Sequence, residues 1–63
     1  MVMNRLEIRR LRKKLGLSQT TFAVRLGVSI GSIHRWETGK GKPIALAMQA
    51  LEKLAQEVNN NGK

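Results

Sequence analysis

The chain has 63 residues, no cysteine, and twelve Lys plus Arg against four acids, a formal net charge of +8. That length gives one domain, 1–63, near the lower limit for independent folding, and the absence of thiols removes disulfide staples and thiolate metal sites and makes a cytoplasmic location the default. The longest apolar run, Ile44 to Met48, is far too short for a membrane span and the N-terminus carries no apolar signal segment, while the charge points to a polyanionic partner.

Within Met1 to Asn4 only Asn4 stands out, as a candidate N-cap. Arg5 to Lys14 reads as a first helix with Ile8, Leu11 and Leu15 on one face, Leu6 beside it, and basic residues around the remainder. No aromatic residue marks its apolar face, so it is expected to face a core rather than a lipid surface. Gly16 ends this helix, Leu17 plugs the core, and Ser18 caps a second helix over about 18–26. Its capping box is incomplete, because Thr21 stands where Glu or Gln is wanted.

Phe22, Ala23 and Leu26 share one helix face, and Ile33 and Trp36 repeat three apart in a third helix over about 30–38 that stops at Gly39. Between the two lies a three-residue turn, Gly27-Val28-Ser29, in which glycine accepts a left-handed conformation and serine caps the next helix. That spacing is a helix-turn-helix. Gly31 in the third helix costs up to about 1 kcal/mol of propensity. It either admits close approach of the backbone to something or is only tolerated.

Residues 39–43 carry two lysines suited to phosphate contact, yet they lack the G-x-x-x-x-G-K-[ST] spacing and a preceding strand, which excludes nucleotide hydrolysis. Pro43 is placed at the first position of a fourth helix running to about Asn59. Ile44, Met48, Leu51, Ala55 and Val58 form an arc expected against the core. Leu46, Ala50 and Leu54 form a second arc expected to make a homodimer contact, unless the helix is wedged between the first and third. Residues 59–63 read as a frayed polar tail, or as the stub of a longer chain.

His34 stands without cysteines or clustered acids, so no metal site is expected, and no paired nucleophile or carboxylate supports an enzyme or a cofactor. Trp36, three residues from Ile33, is expected in the core rather than as a stacking platform for single strands.

The segment LRKKLGLSQTTFAVRLGVSIGSIHRWETGKGKP, Leu11 to Pro43, resembles the lambda-repressor-like helix-turn-helix domain of the Xre and Cro repressors. GLSQ, an apolar residue followed by Ala, LGV, a β-branched residue and WE-x-G fall together at that family's spacing. The resemblance implies an all-α fold, a compact bundle of four or five helices, that binds a double-stranded operator as a dimer and regulates transcription, most often as a repressor.

It also implies roles for particular residues. Gln19 would grip a phosphate and buttress the recognition helix, and Arg12 and Glu37 would form a buried ion pair. Helix 3 would enter the major groove with Ile30, Gly31, Ser32 and Arg35 towards the bases and His34 beside them. Arg35 is the strongest candidate, because a guanidinium can donate two bonds to O6 and N7 of guanine. Ile30 and Gly31 depart from polar reading residues, which leaves the code sparse. Arg9, Arg10, Lys13, Lys40 and Lys42 are the expected phosphate-contacting cations. Two other readings remain open: an antitoxin-like or adaptor module that binds a protein partner, and an RNA-binding domain.

Overall fold

The computed structural model describes residues 3–61, which form four helices and no strand: α1 (Arg5–Lys14), α2 (Gln19–Leu26), α3 (Ile30–Thr38) and α4 (Ala45–Asn61). This is the expected all-α bundle. The first three helices start in one way. Asn4, Ser18 and Ser29 are N-caps in extended backbone, and their side chains accept from the backbone N–H of Glu7, Thr21 and Ser32. At α1 the box is complete, since Glu7 accepts in return from the Asn4 N–H at 3.0 Å.

An apolar residue precedes each cap, and four positions into the helix lies a buried one. The pairs are Met3 with Ile8, Leu17 with Phe22 and Val28 with Ile33, and all six belong to or pack on the core. This is the hydrophobic-staple arrangement, which fixes the angle at which the chain enters a helix. Met3, a residue with no sequence signal of its own, is buried by it.

The helix ends explain why the turns are so short. Gly16, Gly27 and Gly39 have φ of 72°, 72° and 81°. After each, the next N–H reaches back to close the last turn: Leu17 to the Arg12 carbonyl, Val28 to Ala23 and Lys40 to Arg35. In Gly16-Leu17-Ser18 and Gly27-Val28-Ser29 the middle residue therefore closes one helix and staples the next. Three residues suffice to turn the chain while it stays anchored in the core.

Phe22, Ile33, Leu51 and Ile8 are the largest fully buried side chains, and Ala23, Leu11, Trp36, Ala47 and Leu54 complete the core with Met3. Ala23, on the same helix face as Phe22, is buried with it.

Helix α4 departs from expectation. The Met48 N–H donates to the Ile44 carbonyl, so Ile44 is the cap and Pro43 lies in the unassigned stretch before it rather than at the first helical position. Outside the helix, Ile44 leaves the predicted arc and is 72% exposed. The two predicted arcs are in fact flanks of one stripe, Ala47, Leu51, Leu54 and Val58, at the spacing i, i+4, i+7, i+11.

Each four-residue step advances by about 40° beyond a full turn. The second arc therefore spirals inward, from exposed Leu46 through half-buried Ala50 to Leu54, 8% exposed in the core. The backbone of 59–61 lies within α4, and the last two residues of the expected tail lie outside the described residues.

A Cβ at Gly27 would meet nothing within 4 Å, and one at Gly31 would meet only Ser29 Oγ at 3.8 Å, so neither site demands glycine for space. They differ in backbone. Gly27→Ala should destabilise by about 1 to 2 kcal/mol through its left-handed φ, whereas Gly31→Ala, inside a right-handed helix, should stabilise by up to about 1 kcal/mol. Denaturant titration checks the signs, and two shifts in the same direction would contradict the assignment.

Candidate nucleic-acid interface

Helix α3 divides by side. Ile33, Trp36 and Glu37 are buried, and Ile30, Gly31, His34 and Arg35 are exposed around the other side, Ile30 at 50%. With about 100° between successive residues, Gly31 sits near the middle of the outward arc, His34 and Ile30 on one flank and Arg35 on the other. Ser32 is half-buried. Its hydroxyl lies 3.1 Å from that of Ser29, the cap that also accepts from its N–H, so it serves the start of the helix.

The inward side is held by an ionic cluster. Arg12 Nε and Nη2 donate to the two carboxylate oxygens of Glu37 at 2.7 and 3.1 Å, and Nη1 donates to the Leu17 carbonyl at 3.0 Å. Gln19 Nε2 donates to Glu37 Oε1 at 3.2 Å. Glu37 is 8% exposed, and no buried side-chain nitrogen or oxygen among the described residues lacks a partner.

Burial opposes the charge of Glu37. The hydrogen bonds from Arg12 and Gln19 and the nearby charges of Arg12 and Arg9 outweigh it and hold the carboxyl below its ordinary value of 4.5. Gln19 thus buttresses α3 from the first residue of α2, and its phosphate role rests on the resemblance alone.

The cations are not equally placed. Arg9 lies close enough to Glu37 to act on its charge, on the side of α1 that Arg12 shares. Arg10, about 100° further round from Arg9 and 160° from Arg12, points towards another side. Lys13, Lys40 and Lys42 are exposed. Of the four acids, Glu37 is neutralised inside, Glu7 is engaged in the α1 cap, and Glu52 and Glu57 are on α4. From Lys14 to Leu51 the surface therefore carries no exposed acid, and α3 and the loop after it form a cationic face.

Arg35 departs from the picture of a free side chain. A Cβ on Gly41 would lie 3.5 Å from Arg35 Nε, 3.6 Å from Nη2 and 3.7 Å from Cβ, so the arginine is folded over the loop. Loop-to-helix packing has no periodic signature, and nothing in the sequence announces this contact. The Asn4–Glu7 capping box, by contrast, has a local signal, N-x-x-E, of which only Asn4 stood out in the sequence.

Among the described residues no group of three or more His, Cys, Asp or Glu side chains is placed to hold a metal ion, and no helix is long and apolar enough to cross a membrane.

A carboxyl with a lower pKa folded than unfolded adds stability that is fully present above its unfolded value, about pH 4.5, and is lost as pH falls through its folded value. The stability gap between wild type and Glu37→Gln should therefore be constant at neutral pH and shrink as pH falls below the ordinary carboxylate value of 4.5. Glu37→Ala, which strands the Arg12 charge, should cost about 3 kcal/mol at pH 7. Melting curves across pH check both, and a gap that persists unchanged at pH 2 to 3 contradicts the pairing.

The helix-turn-helix family model matches residues 8–59, extending past the quoted segment across most of α4. No curated protein and no solved structure matches the chain. A match over most of the chain shows that it belongs to the lambda-repressor and Xre-like helix-turn-helix family of DNA-binding regulators.

Proposed function

We propose that the protein is a sequence-specific regulator, most simply a repressor, which lays α3 in the major groove of double-stranded DNA and blocks or recruits polymerase by occupying an operator, without catalysis of its own. Such a protein would work in the cytoplasm, on the nucleoid. The observation that carries the reading is the outward face of α3: exposed Ile30, His34 and Arg35 around a central glycine, on a surface free of exposed acid.

The roles then divide by chemistry. Arg35 reads guanine, Ile30 packs on a thymine methyl, and Gly31 lets the helix backbone approach the groove floor. His34 and Ser32 flank the contact. Arg9, Lys13, Lys40 and Lys42 neutralise phosphates, with Arg10 at the margin and Gln19 adding a neutral contact beside its bond to Glu37.

Two copies would set their reading helices about 34 Å apart on a near-palindromic site. The dimer contact is best supported at the start of α4, where Leu46 (74% exposed) and Ile44 (72% exposed) stand out, with half-buried Ala50 at its edge. Leu54 belongs to the domain core instead. An apolar pair this exposed would equally serve the protein-partner reading, so sedimentation separates the two.

Four or five neutralised phosphates imply that log affinity for duplex falls against log salt with a slope of about −3.6 to −4.5. Lys40→Ala should reduce that slope by about 1 on all sequences, whereas Arg35→Ala should relax preference at one base pair. Salt-insensitive binding, or stronger binding to structured RNA than to duplex DNA in competition, refutes the proposal. Leu46→Glu should give a folded monomer in sedimentation at micromolar concentration. Leu54→Ala should instead cost about 2 to 5 kcal/mol of stability, and the reverse pattern would overturn the division of the arc.

A further inference from the structure

The loop after α3 does more than carry two lysines. Its residue 41 is a glycine in a stretch with no positive φ, so backbone conformation does not require one. What lies against it limits the size of the side chain instead, since there is room for a Cβ and little beyond it. Arg35 leaves α3 and curls over this position, with Cβ, Nε and Nη2 all within 3.7 Å of where a Cβ would stand. Among the described residues the Arg35 side chain has neither a hydrogen-bond acceptor nor an ion-pair partner. A carboxylate or carbonyl could also orient an arginine, but it would use the N–H groups that a guanine needs. Packing over a small residue at position 41 confines the side chain and leaves those donors free.

We infer that Gly41 is a positioning residue for Arg35: with nothing larger than a Cβ at this position, the loop makes a shelf across which the guanidinium lies before DNA arrives, so that position 41 contributes to base preference without touching DNA. This inference rests on the proposed reading role of Arg35. Preorganisation of a long side chain removes part of the entropy lost when it binds. The distances also set which substitutions matter. A lone methyl at 3.5 to 3.7 Å is an ordinary contact, so Gly41→Ala should behave as wild type. Valine adds branches about 1.5 Å further out and must push the guanidinium off the shelf.

The test is a double-mutant cycle on duplexes selected from a random pool, each compared with the same duplex after exchange of the preferred guanine. A good guanine contact corresponds to a preference of roughly 5- to 150-fold. Gly41→Val should bring that preference to within about twofold of Arg35→Ala, with affinity for random duplex and the melting temperature unchanged, and should have no further effect in the Arg35→Ala background. Equal losses in both backgrounds overturn the positioning role.

A second readout needs no DNA. In the free wild-type protein, nuclear Overhauser contacts between the Arg35 side chain and the Gly41 α-protons are expected, and Gly41→Val should abolish them. Their absence in wild type overturns the shelf even if DNA is read. Their presence in a protein with no sequence preference confirms the contact while refuting both the reading role and the positioning role built on it.

Discussion

The bundle depends on a carboxylate with three donors. Glu37, near the end of α3, receives two bonds from Arg12 of α1 and one from Gln19 at the start of α2, and the same arginine reaches the Leu17 carbonyl in the turn between α1 and α2. Three helices and a turn thus share one charge, nearly out of water. Such a pair adds little net stability over apolar packing, because desolvation cancels most of its attraction, but it penalises any arrangement that leaves one partner alone. In a chain of 63 residues with a small core, this adds an orienting restraint on α3 to the packing of Ile33 and Trp36.

Function follows from what the cluster leaves on the other side. Burial and pairing of Glu37 remove the only acid of α3 from the surface field, and the other three are at the α1 cap or on α4. A cationic face therefore surrounds a helix whose outward residues have few internal duties. The Gly-apolar-Ser turns before α2 and α3 complete the arrangement, since each ends one helix, anchors in the core and caps the next without long loops.

The helix-turn-helix was legible because each of its parts has a local cause. Left-handed glycines, serine caps and apolar spacing gave α2 and α3 to within a residue of their observed bounds. The resemblance supplied the Arg12–Glu37 pair between α1 and α3, and what failed lay where α4, the N-terminal segment and the loop before α4 pack on the rest. Pro43 suggested an earlier helix start, so Ile44 was assigned to the core and the apolar stripe of α4 was split in two, although its true line passes through Ala47 and Leu54. Met3 looked featureless because a staple residue is defined only once its cap is recognised. Arg35 was correctly placed on the outward side of α3, but its fold over Gly41 depends on how a loop returns across a helix, which no periodicity encodes.

The central claim is that α3, held by this cluster, reads double-stranded DNA. Selection of bound sequences from a random duplex pool addresses it most directly. The account predicts a two-fold symmetric consensus with one guanine per half-site whose enrichment disappears when Arg35→Ala is used for the selection. A pool that shows no enrichment, or an unchanged consensus with the Arg35→Ala protein, would contradict it.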